Sequence, residues 1–168
     1  MDRRDREFAE FAQTRSTALR RTAFLLCGDW QRAEDIVQTA LVKLYVAWHR
    51  VHRDGNVDGY ARTILTRTAI DEFRRAHRHR EQLVDEPPEL PTWQADSDRV
   101  IDVQRVLDQL PSGQRAVIVL RYWEDLSITE TARTLRIGEG TVKSQTAKAL
   151  ASMRKLLGPG TIAFEELS

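Results

Sequence analysis

Apolar residues recur at helical period along most of the chain, and the breaks in that pattern divide it into segments. Phe8, Phe11, Ala12, Leu19, Ala23 and Leu26 follow one another at spacings of three, one, seven, four and three, which predicts one long amphipathic helix closed by Gly28. Asp29 is placed to cap the next helix. From Trp30 to about Trp48, the residues Ala33, Ile36, Val37, Ala40, Leu41, Leu44 and Val46 to Trp48 make a broad apolar stripe. Glu34, Asp35, Gln38 and Lys43 fall outside it and are predicted to face outward. VHRDGN, Val51 to Asn56, reads as a polar turn, and Tyr60 to Arg75 as a helix with Ile64, Leu65, Ala69, Ile70 and Phe73 on its apolar side.

The pattern resumes at residues 99–110, where Val100, Val103, Val106, Leu107 and Leu110 keep helical spacing until Pro111 breaks the run, and residues 112–122 form the next predicted helix. Leu126 to Leu157 then reads as two helices joined by a tight turn. Ser127 and Glu130 make a capping box ahead of Ala132 and Leu135, and Arg136-Ile137-Gly138 forms the turn, with Gly138 free to take a positive φ. The second helix starts near Glu139 and buries Val142, Ala149, Leu150, Met153 and Leu157. Thr141, Lys143, Ser144, Ala147 and Lys148 are left on or beside its outer face, near the helix start, where the second helix of a helix-turn-helix meets base edges. Lysine can donate to guanine acceptors, and the hydroxyls can bond several groups. Two solvated lysines on one amphipathic helix would mean little by themselves; the capping box, turn and hydroxyls together point to DNA.

These segments predict an all-α chain of two small helical modules, residues 1–80 and 99–157. Between them lies EQLVDEPPELPTWQADSD, residues 81–98, with three of the five prolines and no basic residue. That composition resists helix and strand, and the segment could span roughly 60 Å at about 3.3 Å per residue. Its Leu83, Val84, Leu90 and Trp93 either dock on a partner or belong to a solvated tether. Residues 158–168 leave the last helix through Gly158-Pro159-Gly160 as an acidic, partly apolar tail. A module of about 60 residues buries only about 60% of its surface, so the second module is predicted to be marginal alone.

The formal net charge of +1 conceals a division. Residues 1–80 carry +5, residues 81–98 carry −6, residues 99–157 carry +4 and the tail carries −2. Two basic modules flank an acidic linker, a polarity suited to nucleic acid. Much of the first module's charge lies between residues 60 and 80, where Arg62, Arg67, Arg74 and Arg75 are followed by His77, Arg78, His79 and Arg80, a run able to neutralise several phosphates.

Other classes find little support. No apolar run approaches the roughly 20 residues that span a membrane, and the charged start MDRRDREFAEF lacks the apolar core of a signal peptide, so the chain reads as intracellular and cytoplasmic. Cys27, the single cysteine, sits among Leu25, Leu26 and Gly28 and reads as a small buried hydrophobe. There is no phosphate-binding glycine loop, nucleophile elbow or zinc-ligand spacing, and neither His49 with His52 nor His77 with His79 has carboxylates or thiolates at ligand spacing. No enzyme activity, cofactor or metal is expected.

The stretch LPSGQRAVIVLRYWEDLSITETARTLRIGEGTVKSQTAKAL resembles region 4 of bacterial sigma factors of the extracytoplasmic-function group, with wording closest to the actinobacterial branch. GDWQRAEDIVQTALVKLY resembles region 2 of the same group, and YARTILTRTAIDEFRR resembles the helix that follows it, used in promoter opening. The resemblance implies a transcription initiation factor whose partners are RNA polymerase core, through the clamp helices of the largest subunit and the flap, and promoter DNA. It places Glu34, Asp35 and Gln38 on the face that grips the clamp helices. It places Arg53, Asn56, Tyr60, Arg62, Arg67, Arg74 and Arg75 at the minus-10 element, where the non-template strand is held with bases flipped out; Tyr60 is either a stacking platform or a core aromatic. Arg121, Thr141, Lys143, Ser144, Ala147 and Lys148 fall at the minus-35 element, with Arg121 also readable as a plain surface arginine. Relatives are commonly held inactive by an anti-sigma factor, which a flexible linker would permit.

The chain departs from the family pattern at three places. Arg67 stands where many relatives carry Asn, Glu139 where a Ser commonly caps the recognition helix, and Gln145 where an Arg is common. Glu139 suits a helix N-terminus but would repel a nearby phosphate. Two alternatives remain open on sequence: a helix-turn-helix regulator that binds a complete operator without polymerase, and a protein-interaction adaptor with a decayed DNA face.

Overall fold

A computed structural model describes residues 1–83 and 103–158, and every regular element among them is helical. Helix α1 (Arg3–Cys27) starts from Asp2, whose carboxylate accepts the Arg3 amide at 2.6 Å and forms a capping box with Asp5. It ends at Gly28, where φ of 77° satisfies the last turn without steric cost. The Asp29 carboxylate then accepts the Arg32 amide at 2.9 Å and opens α2 (Trp30–Asp54).

Helix α2 runs through most of the segment expected to turn. Val51 is wholly buried and extends the Leu44 and Trp48 stripe by another turn, so packing keeps the helix going until Gly55, at φ 80°, ends it. The stripe is also narrower than the sequence suggested, since Val46 is 76% exposed. Asn56 starts α3 (Val57–Leu83), its Oδ1 accepting the Gly59 amide at 3.1 Å. This helix passes Arg75 and enters the segment expected to be linker. Residues 84–102 and 159–168 lie outside the described residues, and with them the expectations for Val84, Leu90, Trp93 and the tail.

The second module contains α4 (Val103–Asp108), α5 (Ser112–Ile118), a π-helical turn (Val119–Trp123), α6 (Ile128–Leu135) and α7 (Glu139–Leu157). At the start of α6 the expected capping box is formed: Ser127 Oγ accepts the Glu130 amide at 3.0 Å, and Glu130 accepts the Ser127 amide at 2.8 Å. Between α6 and α7 the positive φ belongs to Arg136, at 56°, while Gly138 sits at −72° in extended backbone. The helix ends with the Ile137 amide donating to Ala132 at 3.1 Å, which puts the left-handed residue one step past Leu135, where Arg136 stands. A non-glycine residue there costs about 1–2 kcal/mol.

Replacing Ser127 with alanine removes one half of this box and is expected to lower stability by about 1 kcal/mol, read from the urea midpoint at unchanged slope. The hydrogen bonds with Ser127 hold the Glu130 carboxyl below the ordinary glutamate value. Its contribution is therefore complete above the unfolded glutamate range and is lost as pH falls through the depressed folded value.

The described parts of the two modules pack against each other around one apolar core. Ala23, Leu26 and Cys27 of α1, Ile36 of α2 and Leu65 and Ala69 of α3 join Val106, Leu107, Ile118, Val119 and Met153 of the second module. A module too small to bury enough surface alone completes its core on its neighbour. Cys27 is buried there at 8% exposure, and burial pushes its thiol pKa up. A second cluster of Leu44, Trp48 and Val51 closes the far end of α1 and α2, with Phe8 edge-on to Trp48 at 5.2 Å.

Candidate nucleic-acid interface

Helix α7 presents Thr141, Lys143, Ser144, Ala147 and Lys148 to solvent, while Val142, Ala149 and Met153 are buried beneath them. The five residues thus form one exposed face over the first three turns. Glu139 accepts a hydrogen bond from Thr129 Oγ1 of α6 at 2.8 Å, which ties its carboxylate into the elbow between the two helices. Gln145 is half-buried, with its amide nitrogen facing Gly113 of α5.

On α2, Asp35 and Gln38 are exposed, and neither side chain has a hydrogen-bond partner among the described residues. Val42 and Val46, at 65% and 76% exposure, continue the same face toward the C-terminus. Glu34 stands apart: its carboxylate pairs with Arg20 of α1 at 2.8 Å, which ties the first two helices together.

The basic side of α3 is only partly open. Arg53, Arg74 and Arg75 are exposed, and Arg75 lies 4.0 Å from Glu72. Asn56 is committed as the cap of α3, and Tyr60 is half-buried against the Trp48 cluster with its hydroxyl 3.4 Å from Asp54. Arg62 and Arg67 point into the second module. Arg62 Nε donates to Glu124 Oε2 at 2.8 Å, and Thr22 of α1 donates to the other carboxylate oxygen. Arg67 donates from Nε to the Thr134 carbonyl at 3.1 Å and from Nη2 to the Arg133 carbonyl at 3.2 Å. Partial burial, and then the charge of Arg136, lower its pKa from the ordinary arginine value. A cleft between α3 and α6 is lined by Gly59, Tyr60, Thr63, Glu130 and Arg133.

Glu124 stands at the end of the π-helical turn. There the Glu124 amide donates to Val119 and the Leu126 amide to Leu120, both at 3.0 Å, and Asp125 takes a φ of 54°. Arg121 Nη1 donates to the Leu126 carbonyl at 2.6 Å and so fastens this turn from inside. Nearby, Arg115 is 5% exposed and donates to the Leu25 carbonyl at 2.7 Å and to Asp108 at 2.6 Å, anchoring α5 to the end of α1. Neither Glu124 nor Arg115 stands out by spacing. The one sequence sign is an arginine set directly against the apolar run Ala116 to Leu120.

Two family models match the chain: Sigma-70 region 2 over residues 11–79 and Sigma-70, region 4 over residues 101–153. Among curated proteins, the RNA polymerase sigma-E factor of Streptomyces coelicolor is 38% identical over 154 residues, covering 90% of this chain and 86% of that one. The chain belongs to the RNA polymerase sigma factors. The ECF RNA polymerase sigma factor SigM of Mycobacterium tuberculosis is 33% identical over 140 residues, covering 83% of this chain and 71% of its own, which agrees with the extracytoplasmic-function group. The fold is shared with the sigma factor RpoE of Bartonella quintana, solved in complex with the anti-sigma factor NepR, at a TM-score of 0.71 and 24% identity over 92% of this chain and 98% of that one. The region 2 match falls on α1 to α3 and the region 4 match on the helices from α4 onward. Among the described residues no helix is long and apolar enough to cross a membrane.

Proposed function

We propose that this sigma factor divides promoter recognition between its modules, residues 1–80 and 99–157, and contributes no catalytic step of its own. Chemistry belongs to the polymerase, with which it acts in the cytoplasm. Asp35 and Gln38 dock on the clamp helices of the largest subunit, with Glu34 bracing the helix that carries them. Arg53, Arg62, Arg67, Arg74 and Arg75 hold the melted minus-10 strand by its phosphates, with Tyr60 beside them and Asn56 shaping the loop. Thr141, Lys143, Ser144, Ala147 and Lys148 read duplex minus-35 DNA, and Arg121 supports them by fixing the turn ahead of α6. Region 4 also meets the polymerase flap, and an anti-sigma factor is a fitting regulator.

The observation that carries this reading is the exposed face of α7, small and cationic over its first turns, set on a capped helix-turn-helix whose other side is buried. Lys143→Ala is expected to weaken holoenzyme binding to minus-35 duplex by about 1–3 kcal/mol when the cognate base is present, and less when it is replaced. Titration of labelled duplexes checks this. An equal loss on every sequence would reduce Lys143 to a phosphate contact. Specific, tight duplex binding by the chain without polymerase would contradict the division of labour.

A further inference from the structure

Glu139 is the first residue of α7 and is exposed beside the side chains that face DNA in the proposed function. One oxygen of its carboxylate, Oε1, accepts from Thr129 Oγ1 at 2.8 Å, and the other has no partner among the described residues. Gly138 and Gly140 flank it, so residues 138–140 carry no other side chain. A Cβ added at Gly140 would meet nothing within 4 Å, and alanine is the better helix former by about 1 kcal/mol, so nothing inside the chain calls for glycine there. What bare backbone gives is close approach to a surface outside the chain. Lys143 follows four residues on, the spacing at which Glu and Lys pair along a helix, yet among the described residues no ion pair joins them. A fixed acceptor and a cationic donor are both left open to a partner.

We propose that Glu139 determines specificity at the minus-35 element: its free Oε2 accepts from the N4 amine of a cytosine, and Thr129 is the positioning residue that holds the carboxylate for it. The proposal rests on the reading of α7 as the minus-35 helix. A carboxylate brought among DNA phosphates is repelled by them, and only a base edge that offers a donor can offset that. In the major groove cytosine presents a donor alone, whereas guanine presents two acceptors, thymine an acceptor and a methyl, and adenine a donor beside an acceptor. The Thr129 bond sets the carboxylate before DNA arrives, so less freedom is lost on binding. Four residues advance α7 by about 6 Å, close to two base steps of about 3.4 Å, which places the cytosine within two pairs of the base that Lys143 contacts. A carboxylate that served only the elbow or the helix N-terminus would need neither the bare flanks nor the unused oxygen.

The test uses polymerase holoenzyme and a promoter that it transcribes, with each minus-35 base pair replaced in turn by the other three and duplex binding read by competition. At one position the wild type is expected to prefer cytosine about tenfold. Glu139→Ala flattens that position and leaves the others unchanged. Glu139→Gln offers an amide donor as well as an acceptor and moves the preference to adenine, a gain that requires a folded helix. Thr129→Val keeps the carboxylate but releases it, and narrows the preference for cytosine without moving it. A uniform change over all sequences in Glu139→Ala, stronger or weaker, would overturn the proposal and leave Glu139 a brace of the elbow. Lys143→Ala keeps this idea apart from its foundation. If it flattens a position of its own while the Glu139 variants alter none, the proposal alone fails; if neither alters any position, the reading of α7 fails with it.

Discussion

Replacing Asp35 and Gln38 together with alanine is expected to abolish co-purification with core polymerase while leaving helical content unchanged. Both side chains are exposed and unpartnered among the described residues, so the fold loses nothing it depends on. Alanine is also the better helix former, which makes a change of stability beyond about 0.5 kcal/mol unexpected. Binding is another matter. Central interface residues cost about 2 kcal/mol or more each on truncation, so the pair should weaken docking by roughly a hundredfold to a thousandfold. The matched control is Glu34→Ala. It breaks a partly exposed ion pair with Arg20 worth about 1 kcal/mol at most, and should leave docking nearly intact. If the double variant still co-purifies with core, this face is not the docking surface.

The largest effect on stability is expected at Leu65. It is wholly buried on α3, within the core that α1, α2 and region 4 share, and it lies between Arg62 and Arg67 in the chain. Leu65→Ala should cost about 2–5 kcal/mol, since neighbours held by three helices and a second module cannot collapse fully into the space. A urea titration followed by circular dichroism measures this. The loss matters twice, because α3 also carries the arginines proposed to hold the melted strand. A cost under about 1 kcal/mol would mean that the shared core is far looser than its burial indicates.

The helices themselves were largely legible, because amphipathic period and caps are local signals. Gly28, Asp29 and Ser127 stand where the sequence placed them, at a helix end, a helix start and a capping box. Local signals failed where tertiary packing overrode them. Val51 looked like part of a polar turn, yet burial beside Trp48 carries α2 through it. Gly138 looked like the left-handed residue, but the length of α6 puts that duty on Arg136. The candidate sites divide in the same way. The face of α7 could be written down from spacing, since one helix determines it. The fate of Arg62 and Arg67 could not, because their partners, Glu124 and the end of α6, lie more than sixty residues away in sequence. Nor could the engagement of the two modules be read from an acidic, proline-bearing linker, whose composition speaks of reach and not of what its ends do.

The claim that matters most is that this chain lends promoter choice to polymerase by joining two DNA-reading surfaces to one docking face. Runoff transcription tests it most directly, with purified core polymerase, the full chain and a library of genomic fragments from the same cell. The expected result is transcripts from a small set of promoters, dependent on the added chain and lost with the Asp35→Ala/Gln38→Ala variant. Absence of any chain-dependent transcript, or transcripts undiminished by that variant, would contradict it.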